Sequence, residues 1–91
     1  MKFKITHARA FMGSDINVEI VADGNETIRS VNISLDGFTL DEAEPGPGTS
    51  QYQREFRGVG DANAGMDHTL IASAMDQDLN PHSSQTGWTD I

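Results

Sequence analysis

The chain has 91 residues, 36% of them hydrophobic, no cysteine, and six basic against fourteen acidic side chains for a net charge of −8. This length fits one domain spanning residues 1–91, which buries only ~60–65% of its unfolded surface. Without cysteine it has no disulfide staple and no thiol chemistry, as suits a cytosolic protein. The acidic field and scattered basic residues argue against nucleic acid, and no apolar run approaches the ~18–20 residues needed to span a bilayer.

Residues 2–11 begin with alternation, Phe3 and Ile5 on one face and Lys2, Lys4 and Thr6 on the other, the signature of a half-buried strand. The charged start has no apolar stretch after it and does not read as a signal peptide. Gly13, Ser14 and Asp15 break the run. Ile16, Val18 and Ile20 then point inward, with Asn17 and Glu19 outward. Asp23-Gly24-Asn25 is a turn cluster. Next, Val31, Ile33 and Leu35 share one face, opposite Ser30, Asn32, Ser34 and Asp36.

Asp36-Gly37 turns the chain into a short segment over residues 38–40. Residues 41–50, DEAEPGPGTS, read as an exposed loop in which Pro45 and Pro47 lack the N–H a sheet interior requires. Tyr52, Arg54 and Phe56 lie on one face of a further strand. Arg54 on that aromatic face marks an edge, where its stem lies over apolar surface and its head reaches water. Residues 58–65 read as a loop.

Residues 68–79 satisfy two patterns. Leu70, Ile71, Ala74, Met75 and Leu79 have helical spacing, with Asp67 as a cap, and propensity favours helix. Alternation instead puts Leu70, Ala72 and Ala74 on one face of a strand. Residues 86–91 read as a last strand.

Three pieces carry a resemblance to bacterial immunoglobulin-like domains: IRSVNISLDG (residues 28–37), HTLIASA (residues 68–74), and the pair Asp76 and Asn80 in the following turn. They cover residues 16–90 in order and imply an immunoglobulin-like antiparallel β-sandwich of about seven strands. The resemblance favours strand over helix for residues 68–79. Two residues depart from it: Leu79 stands where glycine is usual before the turn asparagine, and Pro81 follows. The resemblance also implies that His68, two before a core position, hydrogen-bonds back to the preceding loop. Val18 and Leu70 would stand where antibody domains carry a disulfide.

Asp76, Asp78 and Asn80 alternate as calcium-loop oxygen ligands do, although Pro81 replaces the expected glycine and no distal glutamate follows. A solvated acidic turn accounts for them equally well. Met66, Asp67 and His68, with His7, Met12, Met75 and His82, supply thioether and imidazole groups suited to copper, but without tight spacing. No other cofactor is expected. The chain lacks a G-x-S-x-G elbow, an H-E-x-x-H and a P-loop, so it is not expected to be an enzyme. Tyr52, Phe56 and Trp88 are partner-binding candidates, because interfaces favour large aromatics, or else members of the core.

The expectation is a non-enzymatic protein-interaction module: an accessory or adaptor domain of a larger bacterial or phage assembly, or a small acidic inhibitor. Metal or carbohydrate binding is the alternative.

Overall fold

Strict alternation makes every second side chain of two central segments point into one shared interior, and the other strands assemble around them. A computed structural model describes residues 1–11, 13–60 and 65–90. Seven strands follow in order: β1 (Lys2–Arg9), β2 (Ser14–Val21), β3 (Ile28–Leu35), β4 (Phe38–Ala43), β5 (Gln51–Val59), β6 (Asp67–Asp76) and β7 (Pro81–Thr89). One antiparallel sheet has the order β1-β2-β5 and the other β4-β3-β6-β7. The fold is an all-β, sandwich-like arrangement of these two sheets.

The core draws on both sheets. Ile16, Val18 and Ile20 from β2 and Phe56 from β5 meet Ile28, Val31, Ile33 and Leu35 from β3 and Leu70, Ala72 and Ala74 from β6. All are buried, and Val18, Ile20, Ile33, Leu70 and Ala72 are wholly inaccessible. Each larger side chain contributes about 1.5–3 kcal/mol through burial.

The core explains why residues 67–76 are a strand despite their helical propensity. β6 is central, pairing with β3 on one side and β7 on the other. Its alternate residues Leu70, Ala72 and Ala74 complete the inner face, so tertiary pairing outweighs a propensity difference of a few tenths of a kcal/mol per residue.

Several boundaries differ from those expected. β4 continues into the acidic stretch, because Asp41, Glu42 and Ala43 pair with Ile33, Asn32 and Val31. β5 extends to Val59, where it pairs with Ser14. β7 starts at Pro81, well before the expected residue 86, as a proline can at the first residue of an edge strand. Residues 61–64 of the expected loop, Ile91 of the expected last strand, and Met12 lie outside the described residues.

The two ends of the molecule differ. At the upper end lie the β1–β2 turn, the β3–β4 turn, the start of β6 and the end of β7. Gly13 (φ 89°) seats the first of these turns: a Cβ there would stand 2.5 Å from the Val59 carbonyl oxygen, so only glycine fits. Asp36 (φ 52°) and Gly37 (φ 84°) form a two-residue hairpin turn that needs positive φ at both positions. At the lower end, the β2–β3 and β4–β5 connections are joined by backbone hydrogen bonds from Ala22 to Ser50 (2.9 Å) and from Ile28 to Thr49 (2.8 Å). The β6–β7 turn lies beside them, where Gln77 Oε1 accepts the Thr27 amide hydrogen at 2.7 Å.

Candidate functional site

The structure assembles polar clusters at both ends, each from segments far apart in the chain. At the upper end, the first residues of β6 place His68 beneath the β3–β4 turn. Its Nδ1 lies 2.6 Å from Asp36 Oδ2 and its Nε2 2.8 Å from Asp90 Oδ2. A carboxylate on each ring nitrogen favours the protonated imidazole, which donates from both. The Asp36 and Asp90 carboxylates raise its pKa against the opposing effect of burial. Asp36 is held below the usual carboxylate range: burial opposes the shift, but hydrogen bonds from His68 and the Thr69 amide outweigh it.

His68 is 3% exposed and both its nitrogens are engaged, so it has no nitrogen left for a metal or for proton transfer to a substrate. Its structural role differs from the one the resemblance implied: the ring ties the β3–β4 turn to the end of β7, not to the preceding loop. Electrostatics is the reason, because a buried imidazolium is stabilised by paired carboxylates far better than by a carbonyl.

Trp88 packs beside this cluster. His7 stacks on it at 4.2 Å between ring centroids, and His68 is tilted against it at 5.6 Å. The ring is half-buried, and its Nε1 is shielded without a hydrogen-bond partner among the described residues. A small cleft of about 200 Å³ lies here, lined by His7, Arg9, Ser14, Trp88 and Asp90 among others.

The other two aromatic candidates sit on β5, which pairs only with β2 and is an edge strand. Phe56 is buried in the core and does not present its ring on the surface. Tyr52 is half-buried and donates its phenol hydrogen to Asp41 Oδ2 on β4, closing one open side between the sheets. Burial, and then the Asp41 carboxylate, push its pKa up to about 12. Arg54 approaches the same carboxylate at 3.5 Å and lies 5.1 Å over the Phe56 ring, so its stem covers apolar surface and its head stays wet.

At the lower end, Asp76 is 4% exposed. Its Oδ1 accepts the amide hydrogens of Asp78 (2.9 Å) and Asn80 (3.0 Å), and its Oδ2 lies 3.0 Å from His82 Nε2. Those bonds, led by the one to His82, hold its carboxyl below the usual range. Asp76, Asp78 and Asn80 are therefore linked through two backbone amides that cap one carboxylate oxygen, which is how a tight acidic turn is made. Leu79 takes φ 64° in this turn, the left-handed conformation that glycine would hold without strain. Asp76 also belongs to a second constellation: one ligand atom each from Glu26, Asp76 and His82 lie within 4.8 Å of one another.

The three histidines do not converge on a copper site. His7 and His68 flank Trp88 at the upper end, while His82 is at the lower end. Among the described residues, the most exposed large apolar side chains are ones that alternation did not single out. Phe11 is 99% exposed in the β1–β2 turn and Phe38 is 76% exposed where β4 leaves its hairpin turn. Alternation identifies residues well inside strands, whereas Phe11 sits in a turn and Phe38 is the first residue of β4.

Comparison of the chain with protein-family models, with curated proteins and with solved structures gave no match.

Proposed function

We propose that this chain is a non-enzymatic protein-interaction module on an immunoglobulin-like sandwich, acting as an accessory or adaptor domain of a larger bacterial or phage assembly. The strand order supports the immunoglobulin-like part. The second strand pairs with the first and fifth, and the fourth, third, sixth and seventh form the facing sheet, an arrangement related to antibody-type domains. Val18 and Leu70, both wholly buried, occupy the second and sixth strands, where antibody domains carry their inter-sheet disulfide.

The observation that carries the interaction reading is the pair Phe11 and Phe38. They are two of the four phenylalanines in the chain, both largely in solvent at the same end, one in the β1–β2 turn and one at the start of β4. Burying each ring would yield about 1.5–3 kcal/mol, a gain left unrealised in the isolated domain and available to a partner. The net charge of −8 would speed encounter with a basic surface, which also suits a small acidic inhibitor. Carbohydrate binding through Trp88 or Tyr52 has less support, since both rings are engaged inside the molecule.

Tagged protein presented to native lysate at low and moderate salt tests the proposal. One stoichiometric partner, lost with Phe11→Asp or Phe38→Asp in variants that keep the wild-type circular dichroism, is the expected result. Retention of that partner by both variants, or no partner at either salt, would refute it.

A further inference from the structure

The lower end gathers charge from three separate segments: Glu26 from the β2–β3 connection, Asp76 from the last position of β6, and His82 from the second position of β7. Each carboxylate has one oxygen turned away from the cluster and one turned into it. Asp76 uses Oδ1 to accept two backbone amides, which fixes its orientation, and directs Oδ2 at His82 Nε2. Glu26 faces the Met1 amino group with Oε1, at 3.3 Å, and His82 Nε2 with Oε2, at 3.7 Å.

Protein groups alone leave this arrangement incomplete. An imidazole Nε2 carries at most one hydrogen, and Asp76 Oδ2 at 3.0 Å receives it. Glu26 Oε2 at 3.7 Å lies beyond hydrogen-bond reach of the same nitrogen. Glu26 Oε1 is shielded from solvent and already faces the Met1 ammonium at 3.3 Å, which leaves Oε2 as the oxygen open to the cluster. A carboxylate aimed at an imidazole that cannot serve it is better satisfied by a cation between them than by that imidazole.

We propose that Glu26, Asp76 and His82 bind a divalent transition ion of the zinc class, through Glu26 Oε2, Asp76 Oδ2 and His82 Nε2. The ion takes the place of the Nε2 proton, and water completes its coordination on the exposed side, since Glu26 and His82 remain 21% and 27% exposed. Tetrahedral zinc with bonds of about 2.0–2.1 Å sets neighbouring ligand atoms about 3.3 Å apart. The two separations from His82 Nε2, 3.0 and 3.7 Å, bracket that value, and all three ligand atoms lie within 4.8 Å of one another, so the carboxylates need only draw in towards the ion. An imidazole with two carboxylates suits zinc and its neighbours. Calcium is disfavoured, because it takes six to eight oxygen ligands. The amides on Asp76 Oδ1 act as the outer-shell partners that orient a ligating carboxylate. This ligand set shares only Asp76 with the oxygen-only set Asp76, Asp78 and Asn80.

The test is calorimetric titration of the protein with zinc chloride, with thermal melting in parallel and calcium and magnesium chloride as controls. The expected result is one zinc ion per chain and a melting midpoint raised by roughly 10 °C or more at a hundredfold excess over Kd, with no such rise from calcium or magnesium. His82→Gln and Glu26→Gln should each weaken zinc binding at least ~10-fold, the scale at which even supporting residues of metal sites act. Absence of zinc binding, equal stabilisation by calcium, or unchanged affinity in both variants would overturn the proposal. Should His82→Gln fail to fold, the wild-type imidazole nitrogen resonances decide. Zinc must shift His82 Nε2 and leave both His68 nitrogens in place, and an unmoved His82 would overturn the assignment.

Discussion

Replacing His68 with phenylalanine keeps a ring of similar size beside Trp88 and removes only the cation between Asp36 and Asp90. In the native protein the imidazolium donates to carboxylates at 2.6 and 2.8 Å. The two acids differ in access to water: the Asp90 side chain is 4% exposed and Asp36 29%. Losing the partner of a buried charge costs about 3–5 kcal/mol, and the wetter Asp36 places this case at the lower end, about 3 kcal/mol. A 91-residue domain has about 5–14 kcal/mol of stability in total, so His68→Phe should remove a large share of it. The melting midpoint should fall by roughly 12–24 °C.

The pH dependence has a definite sign. His68 has a folded-state pKa above its ordinary 6.5. Its stabilisation is therefore complete below about 6.5 and is lost as pH rises through the folded-state value. Asp36 behaves oppositely. Its folded-state pKa lies below the ordinary 3.8, so its contribution is present above that value and is lost as pH falls through the lower one. Urea unfolding at about pH 5 and about pH 9 should show the wild type weakening on the alkaline side, with a smaller change in His68→Phe. The Met1 amino group is shifted in the same direction as His68, so the difference between the two proteins isolates the histidine. A loss under about 1 kcal/mol at the lower pH, or the same alkaline loss in both proteins, would refute the imidazolium bridge.

The Tyr52 phenol, followed by its absorbance near 295 nm, should titrate at about 12. Its stabilising hydrogen bond is intact below the ordinary 10.0 and is lost as pH rises towards that higher value. Asp41→Asn should move the midpoint back towards 10.0, since it removes the carboxylate that the phenolate must oppose; an unchanged midpoint would leave burial as the whole cause. At the β6–β7 turn, Leu79→Gly should stabilise the domain by about 0.5–1 kcal/mol. The left-handed strain of about 1–3 kcal/mol disappears, while the added freedom of glycine in the unfolded chain takes part of it back. Thermal melting reads this directly, and a lower midpoint would mean that Leu79 makes a compensating contact.

Local period and turn chemistry by themselves determined the strands β2 and β3 and the hairpin turn that follows β3. Ile16, Val18 and Ile20 on β2 and Val31, Ile33 and Leu35 on β3 alternate with polar residues, and all six are buried. Asp36-Gly37 is the dipeptide a two-residue hairpin turn demands, and it forms one. The sequence was ambiguous for residues 68–79, because Leu70, Ala72 and Ala74 fit a strand face while alanine and methionine suit a helix. The tertiary structure settled β6 through pairing on both of its edges. It also decided the first half of β7, residues 81–85, whose polar run carries no apolar alternation and becomes strand only because β6 offers it an edge.

The polar clusters were beyond local reading. Asp36 and Asp90 stand 32 and 22 residues from His68, and only the meeting of the β3–β4 turn, β6 and the end of β7 brings them together. Glu26, Asp76 and His82 likewise meet because a connection between sheets returns to the end of β6. A short-range sequence pattern records the period of one strand. Electrostatic partners drawn from different strands are set by register and chain path, which belong to the folded molecule alone.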